Sequence, residues 1–366
     1  MTISISTPRL TLLDLNLKYS SFQAVVSPLY TGGESAASNK LNSFLNYRHQ
    51  GYHWKLSRPW LAFQGSTSHL SAHIMFGTIS TRQIYQATQA KIETLKLENA
   101  DQGLSPTSKS GFRNSFSLQA FVDRLRWRDS FTQRLYFHPN YGHHNRFPEF
   151  DRIYNLEPLT TRQNELFQAW QNGQTGFPLV DASMRQLMQT GWLNFRMRAM
   201  CATFLCINMG VPWQYGARHF MNYLVDGDMA IDSWQWQMQA GVTNPLSMIF
   251  RIYNPSKNLQ EKDAELKFIK HWLPELQPYN LAQLVAGDYQ GQTKYPKEVL
   301  DFKVTKAING KVISQLRAQV RERIIAEKGL DLNAAKISQT VVQKYKQGQQ
   351  KQYQKLQAEI RGKGLF

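Results

Sequence analysis

The sequence contains little cysteine and no long apolar run. Of its 366 residues, only Cys201 and Cys206 are cysteines. Because they are five apart in an apolar helical stretch, they do not share one helix face and lack the spacing of metal ligands. We therefore predict two buried thiols in a reducing, cytoplasmic compartment, with no disulfide and no metal site. The lack of 18 consecutive apolar residues predicts a protein that does not span a membrane.

Acidic residues are scarce relative to basic ones. The chain has 43 Lys and Arg against 26 Asp and Glu, which gives a formal net charge of +17. Such an excess favours a polyanionic partner, because neutralising phosphates releases condensed counterions. A solvated basic surface would give the same composition, so charge alone leaves both interpretations open.

Strand alternation and a glycine-rich dinucleotide fingerprint are also missing. Apolar residues recur instead at helical spacing, which predicts an all-α protein. The polar stretch at 98–115 is predicted to be a surface loop. The clearest helical patterns run over 117–137, 160–172, 180–209 with a break at Thr190-Gly191, 214–225, 228–240 and 261–272.

Composition divides the chain into three parts. Residues 1–31 have no clear period and are predicted to be a lead-in segment, and residues 32–290 form the helical body. Residues 291–366 hold 16 Lys and Arg against 6 Asp and Glu, with few large apolar residues. We interpret them as a basic helical C-terminal extension, whose end is either loosely docked or frayed.

Arginines, aspartates and tryptophans are concentrated in one part of the body. Arginine and aspartate can pair across neighbouring helices, and a buried pair needs good geometry or a ligand that completes its hydrogen bonds. Aromatic side chains beside such a pair can stack on a flat redox cofactor or pass electrons to it. The pattern predicts a ring cofactor held by charges, and its residues are Trp192, Arg196, Arg198, Asp226, Asp228, Trp234 and Trp236. Ser66 to Ser71, rich in hydroxyls before a helix, is a candidate anion site.

A series of ordered motifs carries a family resemblance. Between residues 32 and 280 the sequence resembles the FAD-binding domain of the photolyase/cryptochrome family. The matching segments are Gly32-Gly33 with Leu41 and Phe44-Leu45, Ser68-His69-Leu70-Ser71-Ala72-His73, Leu125-Arg126-Trp127-Arg128-Asp129, Thr175-Gly176-Phe177-Pro178-Leu179-Val180-Asp181-Ala182, Thr190-Gly191-Trp192, Asp226-Gly227-Asp228, Phe250-Arg251-Ile252-Tyr253-Asn254-Pro255 and Trp272-Leu273-Pro274-Glu275-Leu276.

The resemblance implies FAD as the cofactor and assigns a role to each matching residue. The implied FAD-binding residues are Tyr52, Thr67, Ser68, His69 (where the family usually has arginine), Leu70, Ser71, Arg128, Arg198, Asp226, Asp228 and Asp232. The implied catalytic and electron-relay residues are Trp127, Asn194, Asp232, Trp213, and Trp234 or Trp236. The implied DNA-binding residues are Arg124, Trp127 and Arg196.

Several positions depart from the family pattern. The resemblance places Asp232 near flavin N5, where repair photolyases typically have asparagine and plant cryptochromes have aspartate. A protonated aspartic acid there can donate a proton after photoreduction, and burial would hold that proton. On the substrate side, Arg124 replaces a glutamate, Asn194-Phe195 a His-Asn pair and Ala199 a methionine. At the distal electron-relay position the sequence offers only Phe150 or Tyr154.

The function implied by the resemblance is DNA repair of the photolyase type. Blue-light-excited reduced FAD would donate an electron to a damaged pyrimidine pair flipped out of DNA. One alternative is a cryptochrome-like photoreceptor that signals and does not repair. Another is the FAD half of a split photolyase, because the family's N-terminal α/β antenna domain has no counterpart in these 366 residues. The implied partners are damaged DNA and, in the split case, a separate antenna-domain protein.

Overall fold

The structure is a computed structural model that describes residues 30–101, 109–247, 250–291 and 294–328, without the side chains of 99–101 and 109–114. The predicted lead-in segment up to residue 29 and the predicted basic tail from residue 329 therefore lie outside the described residues. Within the described ranges every regular element is helical, so the all-α prediction is confirmed. None of the described helices is long and apolar enough to cross a membrane.

The described part of the N-terminal third contains six α-helices, with short π-helical segments at Phe44–Arg48 and Ala62–Ser66. The α-helices are α1 (Glu34–Ser43), α2 (Tyr52–Lys55), α3 (Pro59–Leu61), α4 (Ser71–Met75), α5 (Thr81–Asp101) and α6 (Lys109–Phe137). The prediction of a loop over 98–115 was wrong at both ends, since α5 continues to Asp101 and α6 begins at Lys109. The long helices α5 and α6 pack against each other. This packing outweighs the weak helix propensity of the Ser and Gly residues there.

Five helices form the middle of the chain. They are α7 (Thr161–Gln171), α8 (Pro178–Thr190), α9 (Phe195–Thr203), α10 (Trp213–Tyr223) and α11 (Met229–Gln239). The predicted break after α8 is at Gly191, whose φ of 66° is left-handed and ends the helix. The carbonyl of Gly191 accepts from the amide of Val225 at 2.9 Å. This bond brings the loop after α10 next to the start of α9.

Four helices complete the described chain. They are α12 (Pro255–Lys262), α13 (Lys267–Trp272), α14 (Leu281–Ala286) and α15 (Phe302–Lys328). The single helix predicted over 261–272 was wrong, because Leu266 has a φ of 57° and separates α12 from α13. The Asp263 carboxylate accepts from the amides of Phe268 and Ile269 at 3.0 and 2.9 Å, and so caps α13.

The buried apolar residues form two cores. The smaller core contains buried residues between Ala37 and Leu125, from α1, α2, α5, α6 and the turns between them. The larger core contains buried residues between Phe150 and Val320, from α7 to α15. Cys201 and Cys206 lie in the larger core and are both free.

Candidate functional site between the two cores

A cavity of about 600 Å³ has walls from both cores. Its volume lies in the range of pockets that bind cofactor-sized ligands. Tyr52, Phe121 and Leu125 belong to the smaller core, and Phe220 and Trp236 belong to the larger one. The structure brings most of the predicted site residues together on this wall: Tyr52, Thr67, Ser68, His69, Ser71, Arg124, Trp127, Arg128, Asn194, Arg196, Arg198, Asp226, Asp228, Asp232 and Trp236.

The Arg198–Asp226 pair lies inside the cavity. One Arg198 nitrogen, Nη2, donates to both Asp226 oxygens at 2.8 and 2.9 Å. Arg198 Nε donates to the carbonyl of Leu193 at 2.7 Å, which fixes the guanidinium plane. The Asp226 side chain is only 5% exposed. The guanidinium is thus held by the carboxylate and by a backbone carbonyl, and the pair forms a rigid polar part of the cavity wall.

A second carboxylate starts α11. Asp228 Oδ1 accepts from the amide of Ala230 at 3.0 Å and thereby caps the helix. Its Oδ2 lies 3.4 Å from Nη2 of Arg128, which reaches across from α6. The cavity wall therefore ties α6 to α11 through one ion pair.

Asp232 lies one turn further along α11 and is 9% exposed. Burial raises the pKa of its carboxyl to about 7, with opposing effects from nearby Arg198 and from Asp226 and Asp228. Its Oδ2 is buried and has no hydrogen-bond partner among the described residues. A buried carboxyl with such a pKa can hold or release a proton near neutral pH.

A hydroxyl-rich turn, residues 65–69, forms another part of the wall. The Arg48 guanidinium donates to the carbonyls of Gly65, Thr67 and Ser68 and so fixes the turn from behind. The hydroxyls of Ser66 and Thr67 are buried without partners among the described residues. Of the two residues Thr67 lines the cavity, so its unused hydroxyl can bind an anionic ligand there.

His69 follows that turn in a left-handed conformation, with a φ of 52°. Its Nε2 lies 2.9 Å from the carbonyl of Ala62, and its ring stacks on Trp192 at a centroid distance of 4.7 Å. Burial lowers the pKa of His69 to about 4, so the ring is neutral at physiological pH. His69 therefore cannot supply the positive charge of the arginine that the resemblance leads one to expect.

Arginines and aromatic rings alternate along the entrance of the cavity. The Arg124 guanidinium lies 4.4 Å from the Trp127 ring centroid and 5.2 Å from that of Phe195. Arg196 is 5.2 Å from the rings of both Phe195 and Tyr253, and Arg251 is 5.7 Å from Tyr253. We call these six residues the entrance cluster: Arg124, Trp127, Phe195, Arg196, Arg251 and Tyr253.

No carboxylate among the described residues pairs with the arginines of the entrance cluster. Arg196 instead donates to the Tyr253 hydroxyl at 2.8 Å. Trp127 and Phe195 are 50% and 40% exposed, so their ring faces remain accessible. Exposed aromatic faces interleaved with arginines can stack on bases and contact phosphates.

Helix phase distinguishes the two predicted tryptophans of α11. Trp236 is four residues from Asp232, so it shares that face and lines the cavity. Its ring lies 5.0 Å from Phe220 and 6.1 Å from Trp170. Trp234 points elsewhere, with Arg134 4.5 Å above its ring. Trp236 is thus the tryptophan placed to contact a ligand.

Three other predicted positions lie outside the cavity wall. Trp213 is buried, and its indole nitrogen donates to Asn145 at 2.8 Å. The Leu70 side chain is fully buried in the smaller core. Phe150 and Tyr154, the two candidates for the distal electron relay, are buried in the larger core. The electron-relay role of Trp213, Trp234, Phe150 and Tyr154 stays a prediction.

Comparison with known proteins agrees with the arrangement of helices and cavity. A family profile described as the FAD-binding domain of DNA photolyase matches residues 121–315. A deoxyribodipyrimidine photo-lyase from Synechococcus sp. is 31% identical over 295 residues, which are 79% of this chain and 56% of that protein. The chain therefore spans about half the length of the curated relatives it matches.

Two solved structures share the fold. The class III photolyase from Agrobacterium tumefaciens superposes with a TM-score of 0.64 at 25% identity, covering 84% of this chain and 59% of that one. A cryptochrome from Synechocystis sp. gives a TM-score of 0.64 at 26% identity, covering 79% and 58%. Fold and cavity thus define a helical flavin-binding domain. The chain belongs to the family of FAD-binding domains of DNA photolyases.

The cavity side chains fit FAD, the cofactor predicted from the sequence and confirmed by the family match. Thr67, Ser68 and Ser71 line the cavity, and their hydroxyls suit a diphosphate because a hydroxyl can donate to a phosphate oxygen. Asn194 Oδ1 and Asp232 Oδ2 are buried acceptors that also have no partner among the described residues. They suit the polar edge of a ring system.

Several residues that shape the cavity were not predicted from the sequence. Arg48 orders the hydroxyl turn from 17 to 20 residues away, and no local pattern signals this. The Tyr253 ring contacts Arg196 across 57 residues of sequence. Gln235, beside Trp236, also lines the cavity. Its spacing of three residues from Asp232 on the same helix could have indicated this position.

Proposed function

We propose that the chain acts in FAD-dependent, blue-light-driven DNA repair of the photolyase type, with a pyrimidine lesion as substrate. One observation carries this proposal: a single cavity joins an interior of paired charges to an entrance of exposed rings and of arginines that have no carboxylate partner in the described part of the chain. The interior suits a cofactor, and the entrance suits a polyanion with stackable bases. The net charge of +17 supports a polyanionic partner.

The interior residues bind and orient the cofactor. We assign the hydroxyls of Thr67, Ser68 and Ser71 to its diphosphate, and the Arg198–Asp226 pair to its ring system. Asn194 and Asp232 would contact the polar ring edge. FAD, when bound, supplies light absorption and one-electron transfer. The protein's own contribution is fixed dipoles and charges, together with apolar walls that exclude water.

The entrance cluster would bind DNA. Its three arginines would contact phosphates, and the half-exposed Trp127 ring would stack on a base that has left the duplex. Arg124 is held between two rings and has no carboxylate partner among the described residues, so a phosphate oxygen meets an available donor there. Such contacts would put a flipped pyrimidine pair at the entrance, next to the cofactor.

A cryptochrome-like photoreceptor is the second candidate, and two observations favour it. Asp232 is a buried carboxyl with a pKa of about 7, able to give a proton to its surroundings. Arg124 offers only donors, whereas a glutamate at that position could accept from a pyrimidine base. A separate antenna-domain protein is a further proposed partner. The two free cysteines support a cytoplasmic, reducing location.

Repair of a defined lesion tests the proposal. Protein loaded with FAD and chemically reduced is mixed with an oligonucleotide that carries one thymine dimer, and blue light is applied. Recovery of thymine absorbance in the illuminated sample, but not in a dark sample, is the expected result. Binding of the oligonucleotide without recovery would contradict repair and leave the photoreceptor proposal.

Asp232→Asn separates the two candidates. An amide cannot release a proton, so the light-minus-dark absorbance spectrum of the variant should differ from that of the wild type. For a photoreceptor, the variant should lose the light response and the wild type should fail to repair. For a repair enzyme, the wild type repairs whatever the spectrum of the variant.

A further inference from the structure

Arg317 is a buried arginine on α15, only 3% exposed, and no carboxylate among the described residues lies within ion-pair distance of it. Its guanidinium donates hydrogen bonds to one stretch of backbone, between Gly241 and Ser247. Nη1 donates at 2.5 and 2.7 Å, and Nη2 donates twice at 2.8 Å. The acceptors are the carbonyls of Gly241, Thr243, Asn244 and Ser247.

These carbonyls belong to the turn that follows α11. Gly241 and Asn244 have left-handed φ values of 82° and 52°, so the turn folds back and points its oxygens at one spot. Converging oxygens repel one another, and the end of a helix adds partial negative charge. A guanidinium, with donors in a planar fork, can satisfy several of them at once. The guanidinium of Arg317 therefore stabilises the folded-back turn, and the carbonyls of the turn stabilise the buried charge of Arg317.

The same turn leads into the entrance cluster. The Phe250 ring lies 5.4 Å from the Arg317 guanidinium carbon, and the next residue is Arg251. Arg251 and Tyr253 then line the cavity. Gly241 also packs closely against α15. A Cβ at this position would lie only 2.8 Å from the side chain of Ile313. Arg317 is two residues beyond the end of the family match at residue 315.

We infer that Arg317 is a positioning residue for DNA binding, which fixes residues 241–247 and the Phe250 ring so that Arg251 and Tyr253 face an incoming strand. The inference rests on the proposed function for its DNA part. Its structural part, that Arg317 holds this segment of the cavity wall, is independent of any substrate.

The test uses the whole chain with FAD bound and compares three variants. Arg317→Met removes the fork but keeps an apolar stem. Arg317→Lys keeps the charge on one nitrogen, which cannot span four carbonyls. Arg323→Met is the matched control on the same helix, because Arg323 is an exposed residue paired with Glu149 at 2.6 Å. Hydrogen exchange, FAD affinity and DNA affinity are measured for each.

Exchange of amides 241–253 should rise roughly tenfold in Arg317→Met relative to Arg323→Met, and those of α8 should not change. DNA affinity should fall by roughly tenfold, whereas FAD affinity should stay within roughly twofold, since the FAD contacts lie on other segments. Arg317→Lys should show intermediate changes in amide exchange and in DNA affinity. If Arg317→Met does not fold, Arg317→Lys is compared with Arg323→Met in its place.

Equal exchange in the Arg317 and Arg323 variants would overturn the inference. Exchange that rises equally throughout the chain, with FAD and DNA affinity falling together, would also overturn it, because Arg317 would then act only on overall stability. Wild-type protein that binds FAD but no DNA would refute the proposed function and the DNA role of Arg317. The exchange comparison would still decide whether Arg317 holds the wall.

Discussion

The interior and the entrance of the cavity use arginine in opposite ways. Inside, Arg198 and Arg128 each face a carboxylate, Asp226 and Asp228 respectively, at 2.8 and 3.4 Å. At the entrance, the arginines of the entrance cluster face aromatic rings and a tyrosine hydroxyl. The same side chain is thus paired with a carboxylate in one region and, as far as the described residues go, has no carboxylate partner in the other.

This difference indicates what each region binds. Charges that are already paired need no charged ligand, so the interior can fix a cofactor through geometry. Arginines stacked on rings keep their position without losing their attraction for phosphate. A single cavity can therefore hold one ligand permanently and a second one reversibly.

Asp226→Ala should have the largest effect. It leaves Arg198 unpaired in the wall, which we expect to cost about 3–5 kcal/mol in combined stability and FAD binding. The measurements are FAD content after gel filtration and the free energy of unfolding. Glu275→Ala is the control, because Glu275 pairs with Arg185 at 2.7 Å outside the cavity. Full FAD retention in Asp226→Ala would contradict the interior assignment.

Asp232→Asn should change stability in a pH-dependent way. Because the folded pKa is raised to about 7 from 3.8, folded protein holds a proton that unfolded protein has released, and stability falls as pH rises toward 7. An asparagine at this position does not titrate, so the variant does not lose this stability as the pH rises. We expect FAD-free Asp232→Asn to match the wild type near pH 4 and to exceed it by up to about 4 kcal/mol above pH 7.

Denaturant unfolding at a series of pH values measures this difference. Asp123→Asn, at an exposed position on α6, should leave the wild-type profile unchanged. A variant less stable than the wild type above pH 7 would mean that Asp232 is ionised and favourably paired there. The interior would then carry an extra negative charge.

Arg124→Gln should reduce the salt dependence of DNA binding. One lost phosphate contact lowers the slope of log affinity against log salt by about 0.9. Arg126→Gln removes the same charge two residues away, from a side chain that is 60% exposed and lies 3.6 Å from Asp123. Equal slopes for the two variants would show that the entrance cluster has no special role in binding phosphate.

Trp236→Phe should have the smallest effect. With FAD content matched, its flavin fluorescence should increase modestly, because an indole in the cavity wall can quench an excited flavin by electron donation. Trp234→Phe should be indistinguishable from the wild type, since Trp234 is not on the wall. The opposite pattern would mean that the other face of α11 contacts the cofactor.

The sequence predicted local features well and long-range features poorly. The break at Thr190-Gly191 was predictable, because glycine readily adopts the left-handed conformation that ends a helix. Trp236 could have been chosen over Trp234 from its four-residue spacing to Asp232. Leu266 gave no such signal, since a leucine with positive φ is held by its surroundings and not by its own preference.

The entrance cluster and Arg317 illustrate the same limit. In sequence, Arg317 follows Leu316 and lies near Val320, so it looks like a solvent-facing residue on an amphipathic helix. Only the fold brings four carbonyls to it from 70 to 76 residues away. Likewise, Tyr253 meets Arg196 across 57 positions. Contacts of this kind have no periodicity from which they could be inferred.

The two cores that form the cavity walls have a consequence for how much of the protein accumulates in a cell. A ligand held between them binds only when both are folded and adjacent, so by mass action free FAD stabilises the assembled chain. Proteases remove chains whose smaller core opens, and a shortage of flavin would increase their number. The steady-state amount of this protein would then follow the cell's supply of flavin, without any change in its synthesis.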